Sequence, residues 1–333
     1  MIRRAGVRGK MPARKYLHPE PAAYHLKALM EVIMYVVTGA TGNTGNVVAN
    51  RLLDAGKKVR VIGRSEERLK PFVARGAEAF VADVTDQAAL TKAFTGAEGV
   101  YAMIPPDIAN PDPRGYQQRV SDALAGAIRQ SGVKHVVALS SIGADKASGN
   151  GPVAGLHEFE NKLNEIPGVN VLHLRAGYFM ENTLGQAAAI RAMGKMAGPL
   201  NGDLKLPLIA TRDIGAAVAD LLLKLDFSGK STRELLGQRD LSYNEIAAII
   251  AGAIDKPELK YQQFPHEQIK PVLVQLGMSP AMADLILDMA KGLNSGHMRA
   301  LETRTAKNTT PTTFETFVKE QFLPLYRGQA SAA

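Results

Sequence analysis

"VVTGATGNTGNVV", residues 36–48, decides the fold. Three glycines spaced three apart, Gly39, Gly42 and Gly45, separate a β-branched apolar run from an amphipathic stretch carrying Val47, Val48, Leu52 and Leu53. In that setting Gly39 turns the chain out of a strand, Gly42 lets backbone approach a phosphate, and Gly45 lets the following helix pack close to the sheet. The stretch reads as a dinucleotide pyrophosphate site made by Gly39, Ala40, Thr41, Gly42, Asn43, Thr44 and Gly45. Small polar residues there surround an open helix N-terminus, whose unpaired N–H groups and dipole favour anions. The alternative is a glycine-rich turn that binds nothing.

Outward from this stretch the chain alternates short apolar runs with helix-length segments. The runs fall at Tyr35–Thr38, Val59–Ile62, Ala79–Ala82, Val100–Ile104 and His135–Leu139, and a sixth at Val169–Leu174 extends the series. Ser65 before Glu66 and Glu67 predicts a helix cap; Gly56, Gly76 and Gly132 predict helix stops. Such repeats imply an α/β fold: a Rossmann-like, doubly wound parallel sheet. After Gly177 the texture becomes helical, with helices predicted at Asn182–Ala197, Asp213–Leu225, Tyr243–Ile254, His266–Leu276 and Pro280–Lys291. Brief strand candidates remain at Glu234–Leu236 and Lys260–Gln263, and "SYNE" at 242–245 is a capping box. The domain reading is a basic leader over 1–33, a nucleotide-binding domain over 34–177, and a smaller, mostly helical substrate lobe over 178–329 with return strands to the sheet allowed.

Composition bounds the function classes. The chain has 333 residues, 46% of them hydrophobic, and no cysteine. That excludes disulfides, a thiolate nucleophile and cysteine-bound metal; no metal site is expected. The net charge of +8 is concentrated at the start: residues 1–33 hold seven Lys/Arg against Glu20 and Glu31, leaving 33 basic and 30 acidic residues elsewhere. No nucleic-acid motif accompanies it, no apolar run reaches membrane-spanning length, and no export signal is evident. The cytoplasm is the expected location. The leader reads as disordered or misassigned, with Met30 or Met34 as the natural first residue; a targeting or anion-binding arm is the alternative.

The second predicted strand ends in "VRVIGRS". NAD-preferring sites place a carboxylate there for the ribose hydroxyls, whereas here Gly63 and Arg64 follow. A guanidinium suits a 2′-phosphate, so NADP(H) is preferred and NAD(H) remains open. Asp83, closing the third strand, either accepts from an adenine amino group or caps a turn.

Together with "VVTGATGNTG" (36–45), "VIGRS" (61–65), "VADVTDQAAL" (81–90), "VVALSSIGA" (136–144), "HEFENKL" (157–163) and "LRAGYFMEN" (174–182), the chain resembles the NmrA-like group of atypical short-chain dehydrogenases. The likeness is nearest to its NAD(P)H:quinone oxidoreductase branch and runs from about Met34 to the end. It implies that Gly39–Thr44 wraps the pyrophosphate, that Arg64 meets the ribose phosphate, and that Met103, Ile104, Gly177 and Tyr178 border the nicotinamide. One departure matters. Typical short-chain dehydrogenases carry Tyr-x-x-x-Lys on the helix after the serine strand; here Lys162 is present but Glu158 stands in the tyrosine's place. The NmrA-like group shows the same loss and contains both quinone reductases and silent NADP(H) sensors.

Quinone reduction asks little acid–base chemistry of a protein, because the product oxyanion is resonance-stabilised and water can protonate it. A flat slot from Tyr178, Phe179 and Asn182 is the expected acceptor site, against plain lobe packing. His157, which ordinarily titrates near neutrality, and Lys162 are the catalytic candidates: His157 as proton donor, Lys162 as ribose ligand. The other readings are a capping histidine and a solvated lysine. Ser140 and Ser141 either donate to ligand or cap a turn, and Asp213 reads as a helix N-cap. The expected activity is NADPH-dependent reduction of a small quinone-like acceptor, with a silent redox sensor as the alternative; a homodimer is one assembly open to it.

Overall fold

Alternate residues of the central strand, Met34–Val37 (β1), point to opposite faces of the sheet, and both faces are covered. Hydrophobicity on both faces is what a parallel strand at the centre of a layered fold requires. The computed structural model describes residues 34–329 together with Met1, Ile2 and Gly6; the leader expected over 1–33 otherwise lies outside the described residues.

Six further strands join β1: β2 (Lys58–Gly63), β3 (Glu78–Val81), β4 (Ala97–Ala102), β5 (His135–Ser141), β6 (Asn170–Ala176) and, much later, Lys230–Leu235. The spatial order is Lys230–Leu235, β6, β5, β4, β1, β2, β3, with every pairing parallel. The fold is a Rossmann-like α/β doubly wound sheet. The order of strand addition reverses between β1 and β4, so the crevice beyond their carboxyl ends is the topological switch point. Val37, Val61, Tyr101 and Leu174 build the core under helices α1 (Asn43–Asp54) and α2 (Glu66–Val73). On the other face Val36, Val100, Val136 and Val171 build the core under α3 (Gln87–Phe94), α4 (Pro113–Ser131) and α5 (Val153–Asn164). A third core gathers Met180, Leu208, Ile246, Phe314 and Phe322.

The predicted cap and stops are observed: Ser65 accepts from Arg68 N, and Gly56, Gly76 and Gly132 have φ of 68°, 93° and 77°. Two expectations are corrected. The helix expected over Asn182–Ala197 is a short 3₁₀ turn at Met180–Thr183 and a helix only over Gln186–Met193, which Gly194 ends in the left-handed region. The chain then forms the strand Met196–Gly198, because Tyr261–Gln263 offers it a parallel partner. Asp213 is not an N-cap: the helix spans Thr211–Lys224 and begins after Ala210, while the Asp213 carboxylate accepts from Thr312 N at 3.0 Å and Thr312 Oγ1 at 2.7 Å. Glu181 serves that helix start instead, accepting from Thr211 N at 2.9 Å. The capping box is present as predicted, with Ser242 N donating to Glu245 at 2.8 Å.

His173, on β6, is only 2% exposed; its Nε2 lies 2.8 Å from Asn164 Oδ1 and its Nδ1 has no partner. Burial lowers its pKa to about 4. The unfolded chain therefore binds this proton more readily, so stability present above about pH 6.5 is lost as pH falls toward 4. The expected loss is on the order of 3 kcal/mol from this group. Urea titrations at pH 7 and 4.5 should show a steeper fall for the wild type than for His173→Gln; equal slopes would refute the assignment.

Candidate functional site

Thr38, fully buried at the end of β1, ties the crevice together. Its N–H and Oγ1 donate to Tyr101 O at 3.1 and 3.0 Å, and its Oγ1 accepts from Met103 N at 3.2 Å. The chain then leaves the strand through Gly39, whose φ of 61° favours glycine, and closes a turn by Gly42 N donating to Gly39 O at 2.9 Å. The Met103 side chain packs against Gly39. At Gly45 a Cβ would lie 2.3 Å from Gly39 O, so only glycine allows α1 to start this close to the turn. Gly42 is the N-cap and supplies no side-chain acceptor, and the first turn holds no acidic residue. The first-turn N–H groups therefore face the crevice with no side-chain cap from their own helix.

At the second-strand end of the crevice stand Arg64, exposed, and Asp83. Asp83 Oδ1 accepts from Thr85 N at 2.9 Å and Thr85 Oγ1 at 2.7 Å. These bonds hold the carboxyl below the usual carboxylate range, with Arg64 adding to the effect. Burial pushes the phenol of Tyr116, on α4, up, with Asp107 and Asp83 adding to the effect and Arg64 opposing it. Arg68 was missed from the sequence. Its Nη2 donates to Thr41 O at 3.3 Å, which sets a second guanidinium against the glycine turn. Its position three residues after the Ser65 cap, on the turn facing the glycines, was the available signal.

At the other end, Ser140 is 3% exposed and its Oγ donates to Glu160 Oε1 at 2.5 Å. Arg175 clamps the same carboxylate through Nε at 2.9 Å and Nη2 at 2.6 Å. Ser141 Oγ donates to Ile142 O at 3.0 Å. His157 lies with Nδ1 2.8 Å from Ala144 O and Nε2 3.0 Å from Asn161 Nδ2. A carbonyl only accepts, so Nδ1 carries the proton, and Nε2 accepts from the amide. Lys162 Nζ donates to Ser121 Oγ at 2.9 Å and pairs with Asp122 at 2.5 Å, while Glu158 pairs with Arg114 at 2.5 Å. Both residues of the Tyr-x-x-x-Lys frame thus face α4.

Met103 and Ile104 end the β4 side of the crevice, both half-buried. Gly177 N donates to Leu235 O at 2.8 Å, and a Cβ there would lie 2.4 Å from Pro207 O. Its glycine is required by protein backbone. Tyr178 and Phe179, on the short strand Tyr178–Phe179, point to opposite sides: Tyr178 toward the lobe core, its OH 3.0 Å from Tyr243 OH, and Phe179 toward the core beneath α1. Burial raises both phenols. The structure therefore does not gather Tyr178 and Phe179 into one slot, while Asn182, exposed, hydrogen-bonds the Tyr178 hydroxyl.

Residues 33–318 match the NmrA-like family. The chain belongs to that family. Among its relatives, an NAD(P)H azoreductase of Xenophilus azovorans is 29% identical over 77% of this chain and 86% of its own length. Quinone oxidoreductase 2 of Escherichia coli strain K12 is 27% identical over 79% of this chain and 89% of its own length. The crystal structure of the E. coli NADPH-dependent quinone oxidoreductase complexed with NADPH superposes with a TM-score of 0.74 and 25% identity, covering 87% of this chain and all of the other. A Citrobacter triphenylmethane reductase complexed with NADP(H) shares the fold at a TM-score of 0.72 and 20% identity, over 86% and 99% of the two chains.

Gly45→Ala must push the Gly39 carbonyl away, and overpacking of this kind costs roughly 1–3 kcal/mol. The expected result is a lower urea midpoint at unchanged slope; a wild-type midpoint would contradict the contact.

Proposed function

We propose that this protein is an NADPH-dependent reductase of quinones or similarly electron-poor acceptors. The observation that carries the reading is the uncapped start of α1 at the switch point, approached closely by a turn that only glycine allows. That geometry receives a diphosphate. Arg64 and Arg68 border the adenosine end, where two guanidinium groups match a ribose 2′-phosphate. Asp83, with Oδ1 engaged by Thr85, keeps Oδ2 for an adenine amino group. Met103, packed on Gly39, forms a wall between the pyrophosphate and nicotinamide halves.

Bound there, NADPH supplies a hydride from its nicotinamide ring to the acceptor. The acid–base candidates of this chain are committed elsewhere: His157 uses both ring nitrogens, Lys162 is held by Ser121 and Asp122, and residue 158 is a glutamate paired with Arg114. Acceptors whose reduced oxyanion needs no protein acid, such as quinones, are favoured over ketones. The quinone, azo and dye reductases among the similar proteins support this class. The same commitments favour a second reading, a silent NADP(H) sensor.

Following nicotinamide absorbance with a benzoquinone and either NADPH or NADH separates them. Turnover above the uncatalysed rate, faster with NADPH, is expected; no turnover with tight and unequal binding of NADP⁺ and NADPH would install the sensor reading instead. Arg64→Ala should weaken NADPH roughly 10- to 100-fold, the worth of a charged hydrogen bond, and leave NADH nearly unchanged. Equal losses would remove Arg64 from the 2′-phosphate.

A further inference from the structure

Tyr101 touches the pyrophosphate turn at both of its ends. Its carbonyl accepts from Thr38 N at 3.1 Å and Thr38 Oγ1 at 3.0 Å, where the turn leaves β1. Its phenol, on a fully enclosed ring, lies 2.8 Å from Thr44 Oγ1, in the first turn of α1. Thr44 is itself only 5% exposed, so its hydroxyl is directed into the core. Residues 39–43 are thus slung between two points fixed by one residue of the neighbouring strand. A buried phenol without a partner is costly, and a purely apolar side chain would fill the same space without that demand. The hydroxyl pair restrains the pitch of the helix start, and with it the direction of the N–H groups at Asn43, Thr44 and Gly45.

We propose that Tyr101 is a positioning residue for the dinucleotide, acting through Thr44 to aim the first turn of α1 at the diphosphate. The proposal rests on the nucleotide reading above. Because the diphosphate is common to both cofactors, this role differs from that of Arg64, which distinguishes them.

Calorimetric titration of the full chain with NADPH and with NADH tests it. Tyr101→Phe and Thr44→Val are each expected to raise the dissociation constant about fivefold, the worth of one hydrogen bond, by the same factor for both nucleotides. The double variant should bind no worse than either single one, since both remove one interaction. Thr44→Ser, which keeps the hydroxyl, should bind as the wild type does. Wild-type affinity in Tyr101→Phe, with only a lowered melting temperature, would overturn the proposal and leave the nucleotide reading intact. A wild-type protein that binds neither nucleotide would overturn both, and a Thr44→Ser variant as weak as Thr44→Val would overturn the hydroxyl's part in it.

Discussion

A missing methyl group governs the geometry of this protein. With no Cβ on Gly45, α1 begins against the carbonyl of Gly39, at a distance where any side-chain carbon would lie 2.3 Å from that oxygen. Closeness at this point starts the helix directly at the carboxyl end of β1, beside the gap toward β4 where a doubly wound sheet opens its crevice. It also leaves the first-turn N–H groups as the lining of that crevice, because the capping position, Gly42, has no side chain to satisfy them. Packing and anion affinity therefore have one cause. A larger residue at position 45 would move the helix, the lining and the crevice together.

Beneath the other end of the crevice the organisation is ionic. Ser140, Glu160 and Arg175 form a buried network, and Ser140 and Arg175 are register partners across β5 and β6. A buried pair of this kind adds little net stability, since desolvation offsets attraction. Its effect is on geometry: a bidentate guanidinium and a short hydroxyl bond fix where α5 sits relative to the strand ends. Glu234 does the same for the C-terminal segment, accepting from Leu301 N at 2.9 Å and Glu302 N at 2.8 Å.

What the sequence disclosed follows from the range of the interactions involved. The six sheet strands before Gly177 were legible because β-branched runs and glycine stops are local signals, and the capping box is a four-residue one. The strand Leu206–Ile209 escaped, being four residues long and containing Pro207, as did its antiparallel partner Arg239–Leu241. Asp213 looked like a cap because nothing local reveals Thr312, ninety-nine residues away. The glycine turn could be read from the motif. The partners of His157, Lys162 and Tyr178 could not, because Ala144, Ser121 and Tyr243 reach them only through tertiary packing.

Those last partners explain how a short-chain dehydrogenase frame persists without its proton chemistry. Glu158 and Lys162 are one helical turn apart and oppositely charged, and each meets a complementary residue on α4: Arg114 for the first, Asp122 for the second. An i,i+4 pair that in a dehydrogenase would face ligand has here become a two-point clamp between helices. Once the tyrosine is gone, the lysine has no phenol to assist, and its charge finds a nearer partner in Asp122. The clamp in turn holds α5 so that His157 can fasten the loop after β5 by its Nδ1–H. On the function proposed above, such a crevice would position the two reactants while these side chains stay engaged with protein, and the chemistry would be set by an acceptor that stabilises its own negative charge.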